Sequence, residues 1–253
     1  MQPRQLLTFF LLVTAINSFS QNKTNSNPQF IPDIRPNSEF TAHRFKLITE
    51  TPVMYGLGYE FQFHKKLSTT LQFGLLTEPN SSLILSVMEK LGTDEVVIDL
   101  LKNSFRSGKV FDIGFNYNWG NYYAGIFGQH IGLKANDTPI KLLETAMGVD
   151  ASTYPIRGNG TALNNLSNSN NTIELKSYLI QAGFLFGRRF NLKNSWELNA
   201  EIAISKNWYS SSDIYSSKRD FAALNQELNT FLQEIYWDYS YVPSANIGVG
   251  FNW

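Results

Sequence analysis

The chain has no cysteine. That excludes a disulfide framework, a thiolate metal site and an anchor through a lipid-modified N-terminal cysteine. It has no surplus of charge either, with 21 Lys and Arg against 21 Asp and Glu, so nothing in it makes a basic footprint for nucleic acid. There are only three histidines, His43, His64 and His130, in separate segments without the spacing of a metal-binding helix. A nucleophile elbow of the G-x-S-x-G kind and a phosphate loop are also missing. No cofactor and no catalytic residue is expected. Long apolar runs are absent as well, but a chain that crosses a bilayer with strands gives lipid only every second residue and needs none.

What is present begins with an address. Arg4 precedes the apolar run Leu6–Ile16, followed by Asn17, Ser18, Phe19 and Ser20. A basic start, a short apolar stretch and small residues at the cut predict a secretory signal peptide over 1–20. The run is too short to span a membrane as a helix. Residues 21–37, rich in Asn, Gln and Ser and carrying Pro28, Pro32 and Pro36, read as a disordered periplasmic lead-in. The remaining 38–253 are of a length for one barrel or one ordinary domain.

Aromatic residues make up 14% of the chain, and many fall on alternate positions. At the C-terminus Ala245, Ile247, Val249, Phe251 and Trp253 alternate with Asn246, Gly248, Gly250 and Asn252. A period of two is a strand with one apolar face and one polar or empty face. The same pattern places Val53, Tyr55, Leu57, Tyr59, Phe61 and Phe63 against Gly56, Gly58, Glu60 and Gln62. It recurs over 67–77, 110–119, 176–187 and 196–205. Residues 122–133 are strand-like, but their phase is open: one choice turns Gln129 inward, the other turns Phe127, Ile131 and Leu133 outward. Connections at 64–66, 120–121 and 188–195 are short, while 78–109, 134–173 and 206–241 are long. Alternation of short and long connections requires a strand before Val53, and 40–48 is the one candidate, turning at 49–52.

The side facing away from the apolar residues holds Gly, Asn, Gln, Ser and Thr with few charges, among them Glu60, Asp112, Glu197 and Glu201. A sheet face meeting water carries many more charges of both signs, so this polar face is expected to line an enclosed interior and the apolar face to meet hydrocarbon. Tyr55, Phe63, Trp119, Trp196 and Trp253 suit the aromatic girdles at the two membrane interfaces. The four acids form a candidate lumen cluster, with Arg44 and Lys46 as the bases to pair with them.

A terminal strand closing on an aromatic residue, with glycine–aromatic hairpins before it, resembles the small outer-membrane β-barrels of Gram-negative bacteria, the porin-like group with OmpA- and OmpX-type barrels. The resemblance covers about 38–253. It implies an all-β, eight-stranded antiparallel up-and-down transmembrane barrel, a monomer surrounded by outer-membrane lipid. It also implies insertion by the barrel-assembly machinery, for which Phe251 and Trp253 are the C-terminal signal. Two departures from the pattern are expected: no periplasmic domain after the barrel, and helices in the long loops.

That periodicity is clear in three places. Leu83, Ile84, Val87, Met88 and Leu91 recur up to Gly92; Thr93 then caps a second segment bearing Val96, Val97, Leu100 and Leu101. Thr138-Pro139 opens and Gly148 closes a third segment with Leu142, Leu143, Ala146 and Met147. Phe221, Leu224, Leu228, Phe231 and Ile235 form a stripe in the last loop. These helices are expected to cover one another or to cap the barrel mouth, with an apolar ligand or a surface partner as the candidate occupant. The functions consistent with this reading are a non-enzymatic structural, adhesive or ligand-binding role through the outer loops, an outer-leaflet lipid-modifying enzyme, or a small pore.

Overall fold

The computed structural model describes residues 42–77, 80–90, 92–104, 108–150, 172–215, 222–238 and 241–253. The segments read as signal peptide and lead-in lie outside them. Eight strands follow in order: β1 Ala42–Thr51, β2 Met54–His64, β3 Leu67–Leu76, β4 Gly108–Trp119, β5 Tyr122–Pro139, β6 Thr172–Asn191, β7 Trp196–Tyr215 and β8 Tyr241–Asn252. Each pairs antiparallel with its neighbour in sequence, and β8 returns to β1, so the sheet closes. Closure removes the unpaired edges that an open sheet would expose.

The strand predicted from connection parity over 40–48 is therefore present, and it runs on to Thr51 before turning at Pro52. Two other boundaries move further. The β6–β7 turn sits at 192–195, where Asn194 and Ser195 take φ of 57° and 64°, and both strands are 20 residues long. The apolar alternation predicts an end for β6 at Gly187 and for β7 at Ser205, because it stops there. β6 runs on past Gly187 down into the 192–195 turn, while β7 past Ser205 pairs with the start of β6 to form a ribbon that stands above the barrel.

Register fixes which inward residues share a level. One row runs Lys46, Gly58, Gln72, Asp112, Gln129, Gln181 and Asn207 across β1 to β7. The next row up runs Ile48, Gly56, Gly74, Val110, Ile131 and Leu179. A row started at Ala42 passes through Gln62, Ser68, Asn116, Gly125, Leu185, Ala203 and Ser244. It comes back next to the Thr51–Ala245 pair, about ten residues higher on β1. This stagger is what tilts the strands of a closed barrel and sets its width.

The open phase of β5 is resolved in favour of Gln129 pointing inward, together with Tyr123, Phe127, Ile131 and Leu133. The reason lies on the neighbouring strand. A Cβ on Gly183 would come within 2.7 Å of the Phe127 ring, and one on Gly187 within 2.3 Å of the Tyr123 ring. Two glycines on β6 thus leave the room that two β5 aromatics fill. Among the described residues four helices complete the fold: α1 Asn80–Lys90, α2 Glu95–Ser104, α3 Ile140–Met147 and α4 Ala222–Asp238. Asp94 rather than Thr93 caps α2, its carboxylate accepting from the Val96 N–H at 2.8 Å.

Candidate functional site

The outward residues of the strands include Phe45, Leu47, Leu57, Phe73, Phe111, Phe115, Ile126, Phe184 and Ile247, all exposed. Val53, placed on that face by its phase, turns inward instead, because it follows the Pro52 turn and packs into the mouth. Inside, the lower half of the barrel is polar and charged. Glu60 is fully buried and accepts from three cations: Arg44 Nη1 at 2.9 Å, Lys46 Nζ at 2.5 Å and Arg189 Nη2 at 2.7 Å. Arg44 reaches on to Glu197 at 3.5 Å and to Gln62 at 2.8 Å. Arg189 donates to Asn118 at 2.8 Å and stacks on the Tyr123 ring, 4.3 Å from its centroid. Glu197 also accepts from Asn199 at 3.1 Å and Asn252 at 3.0 Å. The network joins β1, β2, β4, β6, β7 and β8 across the lumen.

The four acids of the sequence reading are thus treated differently. Glu60 and Glu197 meet through Arg44. Glu201 is bonded to the Tyr123 hydroxyl and shares a register row with Asn246 and Glu50. Asp112 is buried between Gln72 and Gln129 and forms no ion pair among the described residues. Arg44 and Lys46 serve as counter-charges, and Arg189 joins them. The connection predicted over 188–195 includes Arg189, yet this residue continues the inward phase Gln181, Gly183, Leu185, Gly187. Carrying that alternation two residues further would have found it. The histidines do not converge: His43 bonds the Tyr59 hydroxyl at 2.6 Å, His64 ends β2, and His130 faces outward beside Tyr178.

A closed barrel with hydrocarbon side chains outside and a buried ion network inside reverses the arrangement of a soluble protein. This is the fold of the small eight-stranded outer-membrane barrels. The solved structures it is similar to include CarO of Acinetobacter baumannii, at 13% identity over 85% of this chain and 98% of that one, with a TM-score of 0.36. The N-terminal barrel domain of Pseudomonas aeruginosa OprF matches at 8% identity over 85% and 100%, with a TM-score of 0.38. A major outer membrane protein of Thermus thermophilus matches at 8% over 83% and 99%, with a TM-score of 0.42. No protein-family model and no curated protein matches the chain.

Above the Lys46–Asn207 row the barrel interior turns largely apolar, where a polar face was expected throughout, although Glu50, Ser177 and Ser212 stay buried there. Ile48, Met54, Leu76, Val110, Ile131, Leu133 and Leu179 point inward and form one core with residues of all four helices. From α1 come Leu85 and Met88, from α2 Leu100 and Leu101, from α3 Ile140 and Leu143. The helices of the barrel's loops therefore cap the mouth rather than merely covering one another. The most deeply buried stripe of α4 is Leu224, Leu228, Leu232 and Tyr236, at a spacing of four. Of the predicted stripe, Leu224 and Leu228 belong to it, Phe231 and Ile235 pack half-buried against the same core, and Phe221 lies outside the described residues. Burial pushes the Tyr236 hydroxyl up to about 12, opposed in part by the Ser177 and Ser212 hydroxyls.

A second ridge of α4 explains why it lies where it does. β8 pairs with β7 only as far as Lys206–Tyr241, so the part of β7 above that has a bare edge on this side. Asn225 Oδ1 accepts from the Ile214 N–H at 2.6 Å and Asn229 Oδ1 from the Ser212 N–H at 2.9 Å, while Gln233 Nε2 donates to the Ser210 carbonyl at 2.8 Å. Three amides at a spacing of four on one helix thus stand in for the missing strand. Below them Trp208 is an extra residue, since Ile180 pairs with Tyr209 and Gln181 with Asn207. With its amide turned so that the nitrogen faces the carbonyls around it, Asn207 can donate to Ile180 at 3.2 Å and Tyr209 at 3.0 Å across this bulge. Trp208 and Tyr209 both face outward as a result, at the height of Tyr241 and Trp237.

Proposed function

We propose that the chain is exported and resides in the outer membrane as a monomeric, non-enzymatic barrel that binds through its capped outer end rather than conducting. The observation that carries this reading is the stacking of two closures in one lumen: the Glu60 network below and the apolar core of the cap above. Buried ions joined across the barrel resist the hydration a conducting path needs. Eight strands also leave an interior that side chains fill. The outward aromatics near both ends, Trp119, Trp196 and Trp253 below and Tyr209 and Tyr241 above, suit two membrane interfaces.

Phe251 and Trp253 belong to the lower girdle. Phe251 meets Trp196 edge-on with centroids 5.4 Å apart, and Trp253 stacks on Phe45 at 4.9 Å. We assign them the further role of the signal read by the assembly machinery, which is tested by deleting Trp253 and measuring the fraction inserted. The closure is tested in planar bilayers. Purified protein, shown to be folded by a heat-dependent shift on a detergent gel, is expected to give no conductance steps. Regular steps from the wild-type chain would overturn the reading in favour of a pore.

A further inference from the structure

The barrel wall is lower at one place than elsewhere. β1 ends at Thr51, paired with Ala245, and the chain turns at once through Pro52 into β2. β8 begins at Tyr241, so its residues 241–244 pair with β7 but have no strand partner on β1, although the Ser244 hydroxyl donates across to Glu50 Oε1 at 2.7 Å. Pro243 sits within that unpaired stretch and has no N–H to offer a neighbouring strand. A notch results between the β1–β2 turn and β8, flanked by Pro52 and Pro243.

Behind the notch lies a cavity of about 180 Å³. Its far wall is Ile131 and Leu179, its roof is Met88 of α1 and Tyr236 of α4, and no charged side chain among the described residues lines it. Gln181 and Asn207 at its floor are held by Ser205 and by strand carbonyls. Tyr241 and Pro243 line the cavity and are also exposed on the outer face of the barrel, so the lining continues onto the apolar outer surface. An uncharged cavity of this size is larger than the ~150 Å³ one that stays dry and admits benzene, which leaves room for roughly six carbons.

We propose that the notch is a lateral entrance and that the cavity takes the end of a membrane lipid's hydrocarbon chain from the surrounding leaflet. The occupant follows from the route. The opening meets the face the barrel presents to hydrocarbon, the lining is mostly apolar, and the helices of the cap close the path from above. The proposal deepens the binding role assigned to the capped end and rests on the membrane reading.

The test uses the full mature chain in nanodiscs of phosphatidylethanolamine carrying a diazirine at the end of one acyl chain, with adducts mapped by mass spectrometry after irradiation. Adducts on outward Leu47 and Phe184 report contact with the bilayer. Adducts on inward Ile131 and Leu179 report entry into the cavity and are the expected result. Met88→Trp, which fills the cavity from the roof without touching a strand, should lower the Ile131 adducts about tenfold and leave those on Phe184 unchanged. Leu179→Trp, filling the cavity from the far wall beside Ile131, should do the same there. Adducts confined to Leu47 and Phe184 in the wild type would overturn the cavity proposal alone. Ile131 labelling that survives both fillings would also overturn it. Absence of adducts even on Leu47 and Phe184 would sink the membrane reading beneath it.

Discussion

The lower and upper halves of the lumen are built from the same strands and hold opposite chemistry. Along β1 the inward residues change from Arg44 and Lys46 to Ile48, with Glu50 the last of them; along β6 they change from Arg189 and Gln181 to Leu179 and Leu175, with Ser177 between those two. Below the change, closure is made by hydrogen-bonded ions that must keep their partners in place. Above it, closure is made by aliphatic packing between strands and helices. A buried charge has no tolerable alternative to its partner, whereas apolar side chains can repack at modest cost. The lower half is therefore the rigid plug and the upper half the part able to admit a guest.

The sharpest way to break that contrast is at Glu60. Glu60→Ala leaves Arg44, Lys46 and Arg189 converging on nothing. Removing one partner from a buried ion set costs about 3–5 kcal/mol. The urea midpoint of the heat-shifted band should fall accordingly, and a midpoint equal to wild type would mean the network does not hold the barrel. Next is Leu228→Ala in α4, fully buried in the cap. It should cost about 2–5 kcal/mol, felt as faster loop proteolysis with the barrel's own midpoint unmoved. If the midpoint falls with it, cap and plug are one cooperative unit and the division into halves is wrong.

Two smaller effects sharpen the boundary of the cap. Asn229→Ala strips the Ser212 N–H of its acceptor, at a cost of about 1–3 kcal/mol. Amide exchange at Ser212 should quicken while exchange in β2 and β3 stays as it was. On the ribbon above the barrel, Glu174 accepts from Lys176 at 2.9 Å and lies 3.2 Å from Lys134. Hydrogen bonding to Lys176, and then to Lys134, holds its carboxyl below the usual range. Because its folded value is the depressed one, the pair supports the folded ribbon above the usual carboxylate range and loses that support as the pH falls through the folded value. The site is open to solvent, so the effect is small and fades with salt. An NMR titration of Glu174 with a midpoint at or above that of an unfolded peptide would refute the pairing.

The strands with full alternation, such as β2, β4 and β8, were legible because each outward position must be apolar and each inward one must not meet lipid. β1 was legible through parity alone. The interior was less so. Tyr123, Phe127, Ile131 and Leu133 gave β5 apolar residues on its inner face, and no local rule says that Gly183 and Gly187 will stand beside two of them. Arg189 was hidden because its alternation ran into residues that also look like a turn. The amides of α4 read as an ordinary polar face until the bare edge of β7 is seen.

By itself the sequence determined the alternation, the number of strands, their connection lengths and the helical character of the loops, since each of these is a pattern within a few adjacent residues. Only the tertiary structure decided which acid meets which base, where the lumen changes from ionic to aliphatic, and that the wall has a notch beside Pro52 and Pro243. Those depend on register around a closed sheet, which brings together residues as distant as Glu60 and Arg189. Each circuit advances the level along the strand, so the partners across the lumen follow from closure and not from any single stretch of chain.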